Sequence, residues 1–172
     1  PDTRSSDDYF GLVYNTSYTA SFVHIAQAER HRTLKYFMFF NPNSEYQEFF
    51  IPPMLLGTDY VDEWLSDLDS VKDLVPQAIK VCIVETGHIS DFILKCEERL
   101  CGRAQLEIMQ QTSITASKFI EDVDSGIITN KACINYVEKL RGKSGKLNTK
   151  CQMLSCKEGC AWGSKNALTR LI

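Results

Sequence analysis

Seven cysteines and one histidine-centred segment hold most of the residues whose types and spacing could do chemistry. The cysteines stand at 82, 96, 101, 133, 151, 156 and 160, so six of the seven fall in the last 77 residues. Cys82 is set apart in the apolar run Ala78 to Val84 and is expected to be a free thiol, buried as a small hydrophobe. The even remainder, Cys96, Cys101, Cys133, Cys151, Cys156 and Cys160, suits three disulfides formed in an oxidising compartment. Cys96 and Cys101 are five apart on a helical pattern, about 500° of rotation, so they point to different sides and are not expected to pair with each other. Bridges from the tail to the helices would fasten a segment poor in apolar residues, at about 2–4 kcal/mol each.

Two other fates are open to these thiols. Cys133, Cys151, Cys156 and Cys160 could bind zinc as four thiolates, although the tail offers no C-x-x-C knuckle. All seven could instead stay reduced in an intracellular chain. No metal or cofactor is expected on the first reading.

The segment Glu85-Thr86-Gly87-His88-Ile89-Ser90-Asp91 follows an apolar strand and precedes a helical pattern. Sites often form at such a junction, and Glu85, His88 and Asp91 could supply the acid and base of a small hydrolase. The plainer expectation is a loop with His88 exposed. His31 reads as part of a solvated turn, and His24 as a hydrogen-bonded residue on a sheet surface. Gly142-Lys143-Ser144-Gly145 lacks the Walker spacing, and the acidic run Asp59 to Asp73 lacks a calcium-loop pattern.

Charge points to recognition instead. The chain of 172 residues has a net charge of −3 and a pI near 5.6, which argues against nucleic-acid binding. The balance is uneven: residues 1–86 hold 6 basic and 13 acidic residues, and residues 87–172 hold 13 and 9. From Lys139 onward there are eight basic residues and one acid, Glu158. Lys143, Lys146, Lys150 and Trp162 are therefore candidates for contact with a protein partner or an anionic surface. Asn15-Thr16-Ser17 is a formal glycosylation acceptor at Asn15. No apolar run approaches the roughly 20 residues of a membrane span, so no membrane insertion is expected. The sequence opens at Pro1 without an initiator Met or signal peptide, as expected of a processed or partial chain.

The elements that must position these residues change period along the chain. Residues 9–51 are strand-rich: Tyr9 to Tyr14 and Ser17 to Ile25 read as a hairpin turning at Asn15-Thr16, Thr33 to Phe40 as a third strand, and Glu45 to Ile51 as a fourth. Residues 58–84 combine an amphipathic helix, with Val61, Trp64, Leu65 and Leu68 on one stripe, and a central strand apolar on both faces. Residues 88–142 are helical, with Ile89, Phe92, Ile93 and Cys96, then Leu106 to Val123, then Cys133, Val137 and Leu140 turned inward. Residues 143–172 form a cysteine-rich basic tail.

Strands followed by helices predict a single α+β domain over 1–172. A mainly antiparallel sheet of four to five strands would pack against C-terminal helices and carry a disulfide-stabilised C-terminal segment. The function expected is that of a secreted or lumenal binding domain without catalytic activity. A small hydrolase and an intracellular interaction domain with reduced or zinc-bound cysteines are the alternatives.

Overall fold

The computed structural model describes residues 12–40, 47–141 and 147–150. They form an α+β fold of three antiparallel strands and five helices. In chain order these are β1 (Val13–Ser21), α1 (Phe22–Ala28), β2 (Lys35–Phe39), α2 (Tyr60–Ser70), β3 (Lys80–His88), α3 (Ile89–Arg99), α4 (Leu106–Asp124) and α5 (Lys131–Leu140). The sheet order is β1-β3-β2, with β3 in the centre and antiparallel to both neighbours.

The expected four to five strands become three for two reasons. First, Asn15-Thr16 is no turn: β1 runs straight through it, paired one-to-one from Val13↔His88 to Ser21↔Lys80. Its polar residues Asn15, Ser17 and Thr19 occupy one exposed face, while Tyr14 and Ala20 are buried on the other. The composition that resembles a turn is the alternation of a half-exposed strand. The strand ends at Ser21 because Phe22–Ala28 is helical, turning His24 and Ala28, four residues apart, into the core. Tertiary contact overrides the β-branched composition of this segment. Second, the expected strand at Glu45 to Ile51 reduces, among the described residues, to one bridge, Phe49↔Ile79, before Pro52-Pro53.

The central strand differs from expectation as well. Val81, Ile83 and Glu85 face the core, but Cys82 on the opposite face is exposed rather than buried. β3 also continues through Glu85 to His88, where a loop was expected. Gly87 permits this: a Cβ there would stand 2.6 Å from Leu34 Cδ2.

The helical half follows its apolar stripes. Ile89, Phe92, Ile93 and Cys96 of α3 meet Ala116 and Phe119 of α4 and Cys133, Val137 and Leu140 of α5 in one core, with the Tyr14 and Phe92 rings stacked 4.3 Å apart. The run Thr112-Ser113-Ile114-Thr115 does not interrupt α4, because Thr115 Oγ1 donates back to the Gln111 carbonyl at 3.0 Å and stays within helical geometry. Asn130 caps α5 by accepting the Ala132 N–H at 2.8 Å. No helix among the described residues is long and apolar enough to cross a membrane.

The disulfide expectation is overturned. Cys82, Cys96, Cys101 and Cys133 form no disulfide; Cys96 and Cys133 are buried in the core, where burial pushes both thiols up in pKa. Each sits on the inward stripe of its own helix and fills space there as a small apolar side chain. Cys151, Cys156 and Cys160 lie outside the described residues.

Candidate functional site

The inner face of the sheet holds a polar cluster that period and composition did not reveal. Glu85 stands at the middle of the central strand, opposite Thr16 of β1 and Tyr36 of β2. Its Oε2 accepts from Lys95 Nζ of α3 and from Tyr18 OH of β1 at 2.9 Å. Glu85 is fully buried and Lys95 nearly so. The ammonium also lies 5.7 Å from the Tyr18 ring centre and 5.6 Å from that of Tyr36, within cation–π range. His24 Nε2, from α1, is 3.3 Å from Tyr18 OH.

Proton assignments follow from these contacts. Burial, helped by the Lys95 charge, lowers the His24 pKa to about 4, so the imidazole is neutral at pH 7. Burial and the neighbouring Glu85 charge push Tyr18 well above the usual phenol range, so it keeps its proton. That single proton goes to Glu85, hence His24 Nε2 is the donor toward Tyr18 and Nδ1 is the bare nitrogen. Nδ1 has no partner among the described residues, nor has Glu85 Oε1. All three strands and two helices thus converge on one charge pair, which fixes how the sheet sits on α1 and α3. A second carboxylate does the same at the end of β1: Glu107 of α4 accepts the Ser21 N–H at 2.7 Å and the Ser21 hydroxyl.

The expected constellation of Glu85, His88 and Asp91 does not assemble. Glu85 faces inward to Lys95. His88 is the N-cap of α3, its Nδ1 accepting the Ser90 N–H at 3.2 Å with Ser90 Oγ 2.6 Å away. Asp91 occupies the first helical turn, where its charge complements the helix dipole. The other two histidines are also displaced from expectation. His24 is on a helix and fully buried; His31 is buried 3.5 Å from Glu98, with burial and Arg99 lowering its pKa. Lys150 is half-buried, and its backbone N–H donates to the Leu100 carbonyl at 2.9 Å. Lys143, Lys146 and Trp162 lie outside the described residues. Asn15 is exposed on β1.

A groove of about 440 Å³ runs between β1 and α4. Its strand wall is the consecutive run Leu12 to Ser17. Alternate residues of a strand face opposite sides of the sheet, so a wall made of successive residues is the strand's edge. β1 is an edge of the sheet. The helix wall is Gln111, Ile114, Thr115, Lys118, Phe119 and Asp122, spaced by three and four along one face of α4. Tyr14, Ile89, Phe119 and Ile128 make the groove largely apolar, and its size is that of a binding cleft. The sequence signal for it was present in β1, nine residues with neither charge nor proline. What was missing was the pairing that makes β1 an edge.

No family model matches the chain, and no characterised protein matches it either.

Proposed function

We propose that the domain is a binding module for a protein partner in a secreted or lumenal compartment, using the groove between β1 and α4 as its contact site. The groove itself carries this reading: it is concave, apolar and bordered by a few polar side chains, as binding clefts are. The cluster of Glu85, Lys95, Tyr18 and His24 supports it from the other side. Glu85 and His24 are fully buried, and the Glu85 and Lys95 charges pair with each other, as in a device that holds elements in place. The exposed Asn15 acceptor fits passage through a secretory compartment. Lys143, Lys146 and Lys150 are proposed to speed the encounter with a partner of opposite charge.

The test is selection of a phage-displayed library of 12-residue peptides against the folded domain, followed by affinity measurement on groove variants. Ile114 is 63% exposed, so Ile114→Glu leaves the core intact while charging the groove wall. Loss of the selected peptides by this variant supports the groove as the site; unchanged affinity counts against it.

A further inference from the structure

The outer edge of β1, which no strand among the described residues pairs, fits one kind of occupant. We infer that the groove takes an extended segment of a partner polypeptide as a fourth strand beside β1, the segment being uncharged where it faces α4. This rests on the reading that the groove binds a polypeptide.

The hydrogen-bonding parity of β1 is fixed at both ends. Ile89 N–H donates to the Leu12 carbonyl at 2.9 Å, and Phe22 N–H donates to the Ile79 carbonyl at 2.8 Å. In an antiparallel ladder, residues alternate between exchanging bonds with the partner strand and pointing away from it. Even-numbered residues of β1 therefore face β3, and Val13, Asn15, Ser17, Thr19 and Ser21 direct their N–H and C=O groups to the outer edge. Ser21 shows the parity directly, because its outward N–H is the one taken by Glu107. Glu107 closes that end of the edge. Along the groove, at Val13, Asn15 and Ser17, no strand pairs with these groups among the described residues.

Edge strands are ordinarily protected by charge, proline or a bulge. β1 has none of these: its nine residues are uncharged, and its pairing with β3 is unbroken one-to-one. The edge of β2 differs, being five residues long and starting at Lys35. Charge then selects the occupant. Among the described residues the groove lining holds one cation and one anion, Lys118 and Asp122, which bond to each other at 2.7 Å one turn apart. A neutral wall offers nothing to a charged side chain stripped of water, so it complements an uncharged one. Main-chain bonds to Val13, Asn15 and Ser17 would supply affinity. Alternate side chains turned toward Tyr14, Ile89 and Phe119 would supply selectivity, as in other strand-addition sites.

The experiment scans a library-selected 12-residue peptide with single backbone N-methyl groups, each removing one N–H without touching the domain. Strand addition is expected to give a period of two: about tenfold loss at alternate positions and little change between them. Ser17→Pro removes an outward donor while sparing the ladder to β3, and should cost the unmethylated peptide a similar factor. If Ile114→Glu abolishes binding but the methyl scan shows no alternation, the groove binds polypeptides in another way and strand addition is overturned. If no peptide is selected, or Ile114→Glu has no effect, the binding reading itself fails. Concentration-dependent dimerisation of the domain that displaces the peptide, or competition by a synthetic peptide of residues 1–11, would name a different occupant and overturn the inference.

Discussion

Lys95→Met removes one half of the charge pair at the centre of the fold. The ammonium is nearly inaccessible, and its partner Glu85 is fully enclosed, with Oε1 already lacking a bond among the described residues. Without Lys95, the Glu85 carboxylate keeps the Tyr18 hydroxyl but loses its cation, and removing one partner of such a pair destabilises by about 3–5 kcal/mol. Met is unbranched and preserves most of the Lys95 side-chain volume beside the Tyr18 and Tyr36 rings, so the loss reports on charge rather than on a cavity. At about 2–4 °C per kcal/mol for a chain of this length, Tm falls by roughly 6–20 °C. Replacing both members, Lys95→Met with Glu85→Leu, removes the uncompensated charge and leaves mainly the Tyr18 hydroxyl without its acceptor, about 1–3 kcal/mol. The double variant should therefore be more stable than Lys95→Met alone. Urea unfolding followed by circular dichroism on wild type, both single variants and the double variant measures the coupling. A Lys95→Met loss below about 1 kcal/mol, or additive effects in the double variant, would refute the role given to this pair.

Three further outcomes are expected. His24 has a folded pKa of about 4 against 6.5 unfolded, so the unfolded state binds the extra proton in between. Stability should fall as pH drops from 6.5 to 4, by up to about 3 kcal/mol, and His24→Leu should flatten that part of the urea-midpoint profile. Gly87→Ala places a methyl 2.6 Å from Leu34 Cδ2 and should lower stability by about 1–3 kcal/mol in thermal unfolding, with Leu34→Ala relieving the clash in the double variant. Reversing the charge of Lys143, Lys146 and Lys150 should slow association with an acidic selected peptide and weaken its salt dependence, measured by surface plasmon resonance at two ionic strengths.

The helices of the C-terminal half were legible because their stripes are long and regular: Phe92, Ile93 and Cys96, or Cys133, Val137 and Leu140, repeat at the helical period and are buried as that period demands. The first fifty residues misled because two codes overlap there. Asn15-Thr16 is polar both in a turn and on the exposed face of a strand, and only pairing with Thr86 and Glu85 distinguishes them. Phe22 to Ile25 has strand composition but folds as helix to bury His24 beside Tyr18. Glu85 stands out in the sequence beside His88, yet its partner Lys95 lies ten residues on, where a charged residue on a helix ordinarily reads as solvent-facing. Long-range packing decides both, and neither local spacing nor period encodes it.

Amide hydrogen exchange along β1, measured residue by residue with and without a saturating selected peptide, tests strand addition most directly. The outward amides of Val13, Asn15 and Ser17 should slow by at least about tenfold on binding, while Tyr14 and Thr16, already bonded to β3, change little. Bound peptide with unaltered exchange at Val13, Asn15 and Ser17 would contradict it.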